Sequence, residues 1–148
     1  MSTLIHQRVA AARAGQNPTV VCQVPSGWVV LCDLQYLRGY TLLLPDPVVA
    51  DITTLDKAAR TRYLWDMTLV GQALLEVTGA YRVNYAILGN TDPVLHAHIV
   101  PRYLDEPENL RLGPPWHYSQ EHQRSVRFDA QRDQELLSRL AQAIRQRL

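Results

Sequence analysis

Residues 84–103, NYAILGNTDPVLHAHIVPRY, decide how this chain is read. They place two imidazoles, His96 and His98, two residues apart inside an apolar, β-branched run. A strand sends successive side chains to opposite faces, so this spacing predicts both rings on one face and Leu95, Ala97 and Ile99 on the other. The second set is a core face. The histidines are left side by side in an accessible position, where one imidazole can attack an electrophile while its neighbour handles charge or a proton. Just before the strand, Gly89 and Asn90 offer a flexible backbone and an amide suited to cradling phosphate oxygens.

Working outward, residues 81–88 and 94–102 read as the last two strands, joined by 89–93. Upstream lie a predicted hairpin, 19–24 and 28–33 around the Pro25-Ser26-Gly27 turn, and a third strand at 40–44 ended by Pro45-Asp46-Pro47. Between these strand groups, Thr53 or Thr54 can cap a short helix to about residue 57. A longer helix covers 58–78, because Tyr63, Met67, Val70, Leu74 and Val77 form one stripe at helical spacing and Gly79 is a natural stop. A short helix at 4–14 opens the chain, and a final one follows Asp129, with Leu136, Leu137, Leu140 and Ile144 on its apolar side. Residues 104–128, carrying Pro107, Gly113, Pro114 and Pro115, read as an ordered but irregular excursion. The fold class is α+β, with about five strands in mostly antiparallel order, a long helix and a C-terminal helix.

A chain of 148 residues, 47% apolar, fits one domain spanning 1–148. Fifteen basic against 14 acidic residues leave a net charge of +1, so no overall field argues for nucleic acid or a membrane surface. A local anion pocket stays compatible with that balance. Cys22 and Cys32 sit in apolar segments without metal or redox spacing, which predicts buried free thiols and a reducing, cytoplasmic setting. No segment reaches membrane-spanning length.

The 84–103 run also resembles the signature of the histidine triad (HIT) family, whose motif is His-φ-His-φ-His-φ-φ, with φ apolar, often followed by Pro-Arg. His96 matches the second triad histidine and His98 the third, and Pro101-Arg102 follows as in the family. LCDLQYLRGYTLLLP (31–45) resembles the family's nucleoside-binding strand pair. LWDMTLVGQALLEVTGAYRVNYAILGN (64–90) is similar to the helix and strand that lead into the motif in a bacterial branch. The likeness covers about 19–104, the motif-bearing core, and leaves 105–148 as a C-terminal excursion and helix.

The resemblance implies a HIT-like fold and a nucleotide hydrolase or nucleotidyl transferase that cleaves at the α-phosphate of dinucleoside polyphosphates or nucleoside phosphoramidates. It implies His96 as nucleophile and His98 as phosphate hydrogen-bonder or acid. Asn90 and Asn84 would serve as phosphate amides and Asp33 as the ribose ligand. Read alone, Asn84 is equally a strand-end residue and Asp33 a turn residue. It further implies an adenosine nucleotide as partner, a homodimer, and no cofactor. Two residues depart from the family: its first triad histidine is Val94, and a further histidine near the third strand is Tyr40. In the family fold a main-chain carbonyl at the first position orients the nucleophile, and Val94 still has one. The imidazoles themselves are lost, so the alternative is a weak or inactive nucleotide-binding protein of the same fold. A metal site built on His96 and His98 lacks a third ligand at supporting spacing.

Overall fold

Side-chain alternation in the strands decides which cover each face of the sheet receives. A computed structural model describes residues 2–148. Strands β1 (Val20–Val24), β2 (Gly27–Leu31), β3 (Thr41–Pro45), β4 (Arg82–Ala86) and β5 (Ala97–Arg102) form one sheet in the order β1-β2-β3-β5-β4. Every neighbouring pair is antiparallel. Val29 and Leu31 of β2, Leu43 of β3 and Ala97 and Ile99 of β5 point into the main core. That core lies under two helices, α2 (Lys57–Thr78) and α5 (Gln134–Arg145). The predicted α2 stripe of Tyr63, Met67, Val70, Leu74 and Val77 is buried throughout. The Tyr63 hydroxyl also donates to the Leu43 carbonyl at 2.7 Å, which ties helix to sheet.

The opposite face carries two smaller cores. Under α1 (Leu4–Arg13), Ile5 and Val9 pack on Val30, Leu44 and Val94. Under the excursion, Leu37, Tyr40, Val100 and Tyr118 pack together. That excursion contains two single-turn helices, α3 (Glu108–Arg111) and α4 (Gln120–Gln123). It is pinned by Arg102, whose guanidinium bonds Glu106, the main-chain oxygens of Leu110 and Gly113, and Asn84. His96 and His98 fall on this face, at the seam between the two covers.

Some boundaries move. The strand at the histidines starts at Ala97, so His96 stands just before the ladder begins. Thr53 and Thr54 cap nothing: they lie within a 3₁₀ turn, Ile52–Thr54, where their hydroxyls bond Asp51. Asp56 is the cap of α2, accepting from the Ala59 amide at 2.8 Å, and Gly79 closes the helix at φ 71°. Asp129 holds a turn through the Gln131 and Arg132 amides, which delays α5 to Gln134. No helix among the described residues is long and apolar enough to cross a membrane.

Candidate functional site

A cavity of about 260 Å³ opens at the seam. His96 and His98 enter it from the β5 segment, Asp33 from the end of β2, Asp92 from the loop before β5, and Leu4 and Arg8 from α1. A larger cleft of about 730 Å³ lies beyond Tyr36 and Tyr118 and is lined by neither histidine. The chemistry therefore selects the smaller cavity. The histidines are less accessible than the sequence predicts, with His96 only 9% exposed, because α1 and the excursion both close over their face.

His96 Nδ1 lies 2.9 Å from the main-chain oxygen of Val94. A carbonyl only accepts, so Nδ1 carries the proton and Nε2 keeps its lone pair. Valine at this position thus preserves the orientation of the His96 ring. The Val94 side chain has taken another task, completing the apolar seat of α1 with Ile5, Val9, Val30 and Leu44.

His98 packs beside His96 with ring centroids 5.0 Å apart. Its Nδ1 is 2.6 Å from the Tyr40 hydroxyl, and the Trp116 ring stands perpendicular to it at 5.4 Å. Burial, helped by the neighbouring His96, pushes the His98 pKa down to about 4. His98 is therefore neutral at physiological pH. Burial raises the Tyr40 phenol, which stays protonated. Tyr40 is a member of the site that the sequence shows only as a missing histidine.

Asp33 lines the cavity, but both its oxygens are engaged by the Arg8 guanidinium. Asp92, which the sequence reading passed over, accepts from the Ile5 amide at 3.1 Å and so fastens the start of α1. Its other oxygen is buried with no partner.

Two predicted residues do not gather here. Asn84, on β4, accepts from Arg102 at 2.8 Å, so its amide oxygen is committed to the pinned excursion. Asn90 is exposed and lines no part of the cavity; the chain turns at 91–93 and brings Asp92 in instead. No group of three or more His, Cys, Asp or Glu side chains able to hold a metal occurs among the described residues.

No family model matches this sequence, and no curated protein does. Solved structures do. A histidine triad protein from Bradyrhizobium japonicum is 27% identical, with a TM-score of 0.72 over 84% of this chain and 89% of that one. One from Marinobacter aquaeolei is 24% identical and superposes with a TM-score of 0.76 over 99% of this chain and 98% of its own. A zinc-bound histidine triad family protein from Mycobacterium smegmatis, 22% identical, shares the fold at a TM-score of 0.63 over 92% and 91% of the two chains. Its antiparallel sheet, its histidine-bearing strand and these likenesses give the chain the HIT-like fold, similar to that of histidine triad proteins.

Proposed function

We propose that the protein is a nucleotide hydrolase or nucleotidyl transferase acting at an α-phosphate, with His96 as nucleophile. The observation that carries this reading is the Val94 carbonyl on His96 Nδ1, which leaves the Nε2 lone pair as the attacking group beside a second imidazole. In the first step Nε2 bonds to the α-phosphorus. The phosphorus bond to the leaving oxygen or nitrogen breaks, and its electron pair departs with the leaving group, which takes up a proton. His96 keeps its Nδ1 proton on Val94, and the carbonyl dipole stabilises the charge that develops on the ring. Water then attacks phosphorus, returns the electron pair to Nε2 and releases its proton, giving the nucleoside monophosphate.

His98, neutral and adjacent, supplies a hydrogen bond to the phosphate. Asp33 holds the ribose hydroxyls once Arg8 releases it. Leu42 lines the same cavity and supplies an apolar wall for a base, with adenosine nucleotides as the first substrates to try. Asn84 and Asn90 stand outside this proposal on their placement. A homodimer paired through the open edge of β4, and a reducing cytoplasm suited to two free cysteines, complete the reading.

The second reading is a nucleotide-binding protein without turnover, favoured by Val94 in place of an imidazole and by Arg8 seated on Asp33. One experiment separates the two. Protein is incubated with a diadenosine polyphosphate and, separately, an adenosine phosphoramidate, then acid-labile nucleotidyl adduct and released AMP are assayed. The catalytic reading expects both, with the adduct on His96. Binding of AMP with neither product nor adduct supports the second reading.

A further inference from the structure

The hydroxyl of Tyr40 stands on β3's approach, 58 positions from His98 in sequence, yet makes the shortest polar contact of either histidine, 2.6 Å to Nδ1. The direction of that hydrogen bond matters, because the two ring nitrogens of a neutral imidazole are never alike: one donates and the other accepts. The phenol fixes the direction. Its hydroxyl is buried and protonated, and among the described residues His98 Nδ1 is its one side-chain or main-chain partner within hydrogen-bond distance. A buried O–H left without an acceptor is costly, so Tyr40 turns its proton toward His98 Nδ1. His98 then carries its ring proton on Nε2, the nitrogen left for a ligand.

We propose that Tyr40 is a positioning residue that locks His98 in the Nε2–H tautomer, so that His98 presents a donor to a phosphate oxygen held at His96. The inference rests on the catalytic reading above for its ligand, but not for the tautomer itself. The arrangement is complementary across the pair. Val94 makes His96 a lone pair at Nε2, and Tyr40 makes His98 a donor at Nε2, so attack and anion stabilisation are divided between rings 5.0 Å apart. Tyr40 is buried, and its ring meets His98 edge to face at 5.9 Å, so packing holds the hydroxyl in place. The charged and titratable groups around His98 are His96 and Tyr40 in contact, and Cys32, Asp33, Asp92 and Arg8 around the cavity. None of the last four hydrogen-bonds to His98.

The test is read first on ligand-free protein. Long-range ¹⁵N–¹H correlation spectra assign the His98 tautomer directly. Wild type is expected to show a pyrrole-like Nε2 and a pyridine-like Nδ1, and Tyr40→Phe to move both shifts toward averaged values. A wild-type Nδ1–H form, or shifts unchanged in Tyr40→Phe, overturns the proposal. Turnover gives a second readout. Tyr40→Phe should lower kcat about three- to tenfold, the worth of one neutral hydrogen bond, with KM nearly unchanged. In a His98→Ala background the same change should have no further effect. An equal loss in both backgrounds means that Tyr40 acts apart from His98 and also overturns it. A locked tautomer in a protein that turns nothing over removes the catalytic reading while the positioning role stands. A mixed tautomer in an active protein removes the positioning role alone.

Discussion

One face of β5 ends in two different ways. At its C-terminal end Arg102 has every donor occupied: Nε on Glu106, Nη1 on Asn84 and the Gly113 carbonyl, Nη2 on Glu106 and the Leu110 carbonyl. Its side chain is 2% exposed and that of Glu106 5%. At the N-terminal end His96 and His98 each spend one ring nitrogen on the protein, on Val94 and Tyr40, and present the other nitrogen to a cavity. Both ends are buried and polar, but only one has valence left for a ligand. The difference separates a polar group that holds the fold from one that works. A saturated guanidinium orders 104–128 over the sheet, and the seam left between that cover and α1 is where chemistry is free to happen.

The comparison breaks most sharply at His96. His96→Ala is expected to lower turnover on the order of 10⁴-fold or more while AMP affinity largely holds, since the ring supplies the attacking electron pair. Assays of product release and AMP titration check it, and unchanged turnover would remove His96 as nucleophile. At the other end Arg102→Met should do the reverse. It leaves Glu106 buried without its counter-charge and should cost about 3–5 kcal/mol in denaturant unfolding. Loss of turnover with stability intact would instead place Arg102 in the site.

Much of this contrast is legible in the sequence, and the parts that are not share a physical cause. The alternation of Ala97 and Ile99 against His96 and His98 is a local property of a strand, and it places core and site on opposite faces as observed. The α2 stripe and Gly79 are local too. Even the fate of His96 could be anticipated at Val94, because every residue brings a carbonyl. The Arg8–Asp33 and Tyr40–His98 contacts, by contrast, join positions 25 and 58 apart, and no periodicity announces them. The burial of the histidines depends on covers whose path is set by Arg102, Glu106 and Asn84 together. Asn84 read as a phosphate amide for the same reason: an amide on a strand beside a motif looks alike whether it meets a ligand or an arginine. Asn90 and Asp92 differ by one turn of a loop, which sequence spacing does not resolve.

Acid should unfasten the two ends at different pH. His98 titrates at about 4 in the folded chain, against an ordinary value of 6.5 once unfolded. Between those values the unfolded chain binds the extra proton, so stability is full above about pH 6.5 and falls as pH drops toward 4. The loss is on the order of 3 kcal/mol. For Glu106, burial works to raise the carboxyl, but the bonds from Arg102, the Tyr103 amide and Tyr118 outweigh it and hold the group below its ordinary range. Its contribution is present above the unfolded value of about 4.3 and is lost only as pH falls further. Tm measured from pH 7 to 3 should therefore lose its upper slope in His98→Gln and its lower slope in Glu106→Gln. Identical profiles for wild type and His98→Gln would mean that His98 is not held neutral by its site.

The smallest effect bears on whether the cavity end is truly the adaptable one. Arg8 and Asp33 are about a third exposed, so their ion pair is worth roughly 0–1 kcal/mol to the fold. Yet it occupies both oxygens that a ribose would need. Arg8→Ala should leave Tm within a few degrees, because Ile5 and Val9 still seat α1 on Val30, Leu44 and Val94. By sparing the nucleotide the work of breaking the pair, it should tighten AMP binding by up to about fivefold, the equivalent of that 1 kcal/mol. Calorimetric titration reads the change directly. Weaker binding would show that Arg8, once displaced from Asp33, contacts the bound nucleotide itself, and α1 would then be part of the site rather than a cover over it.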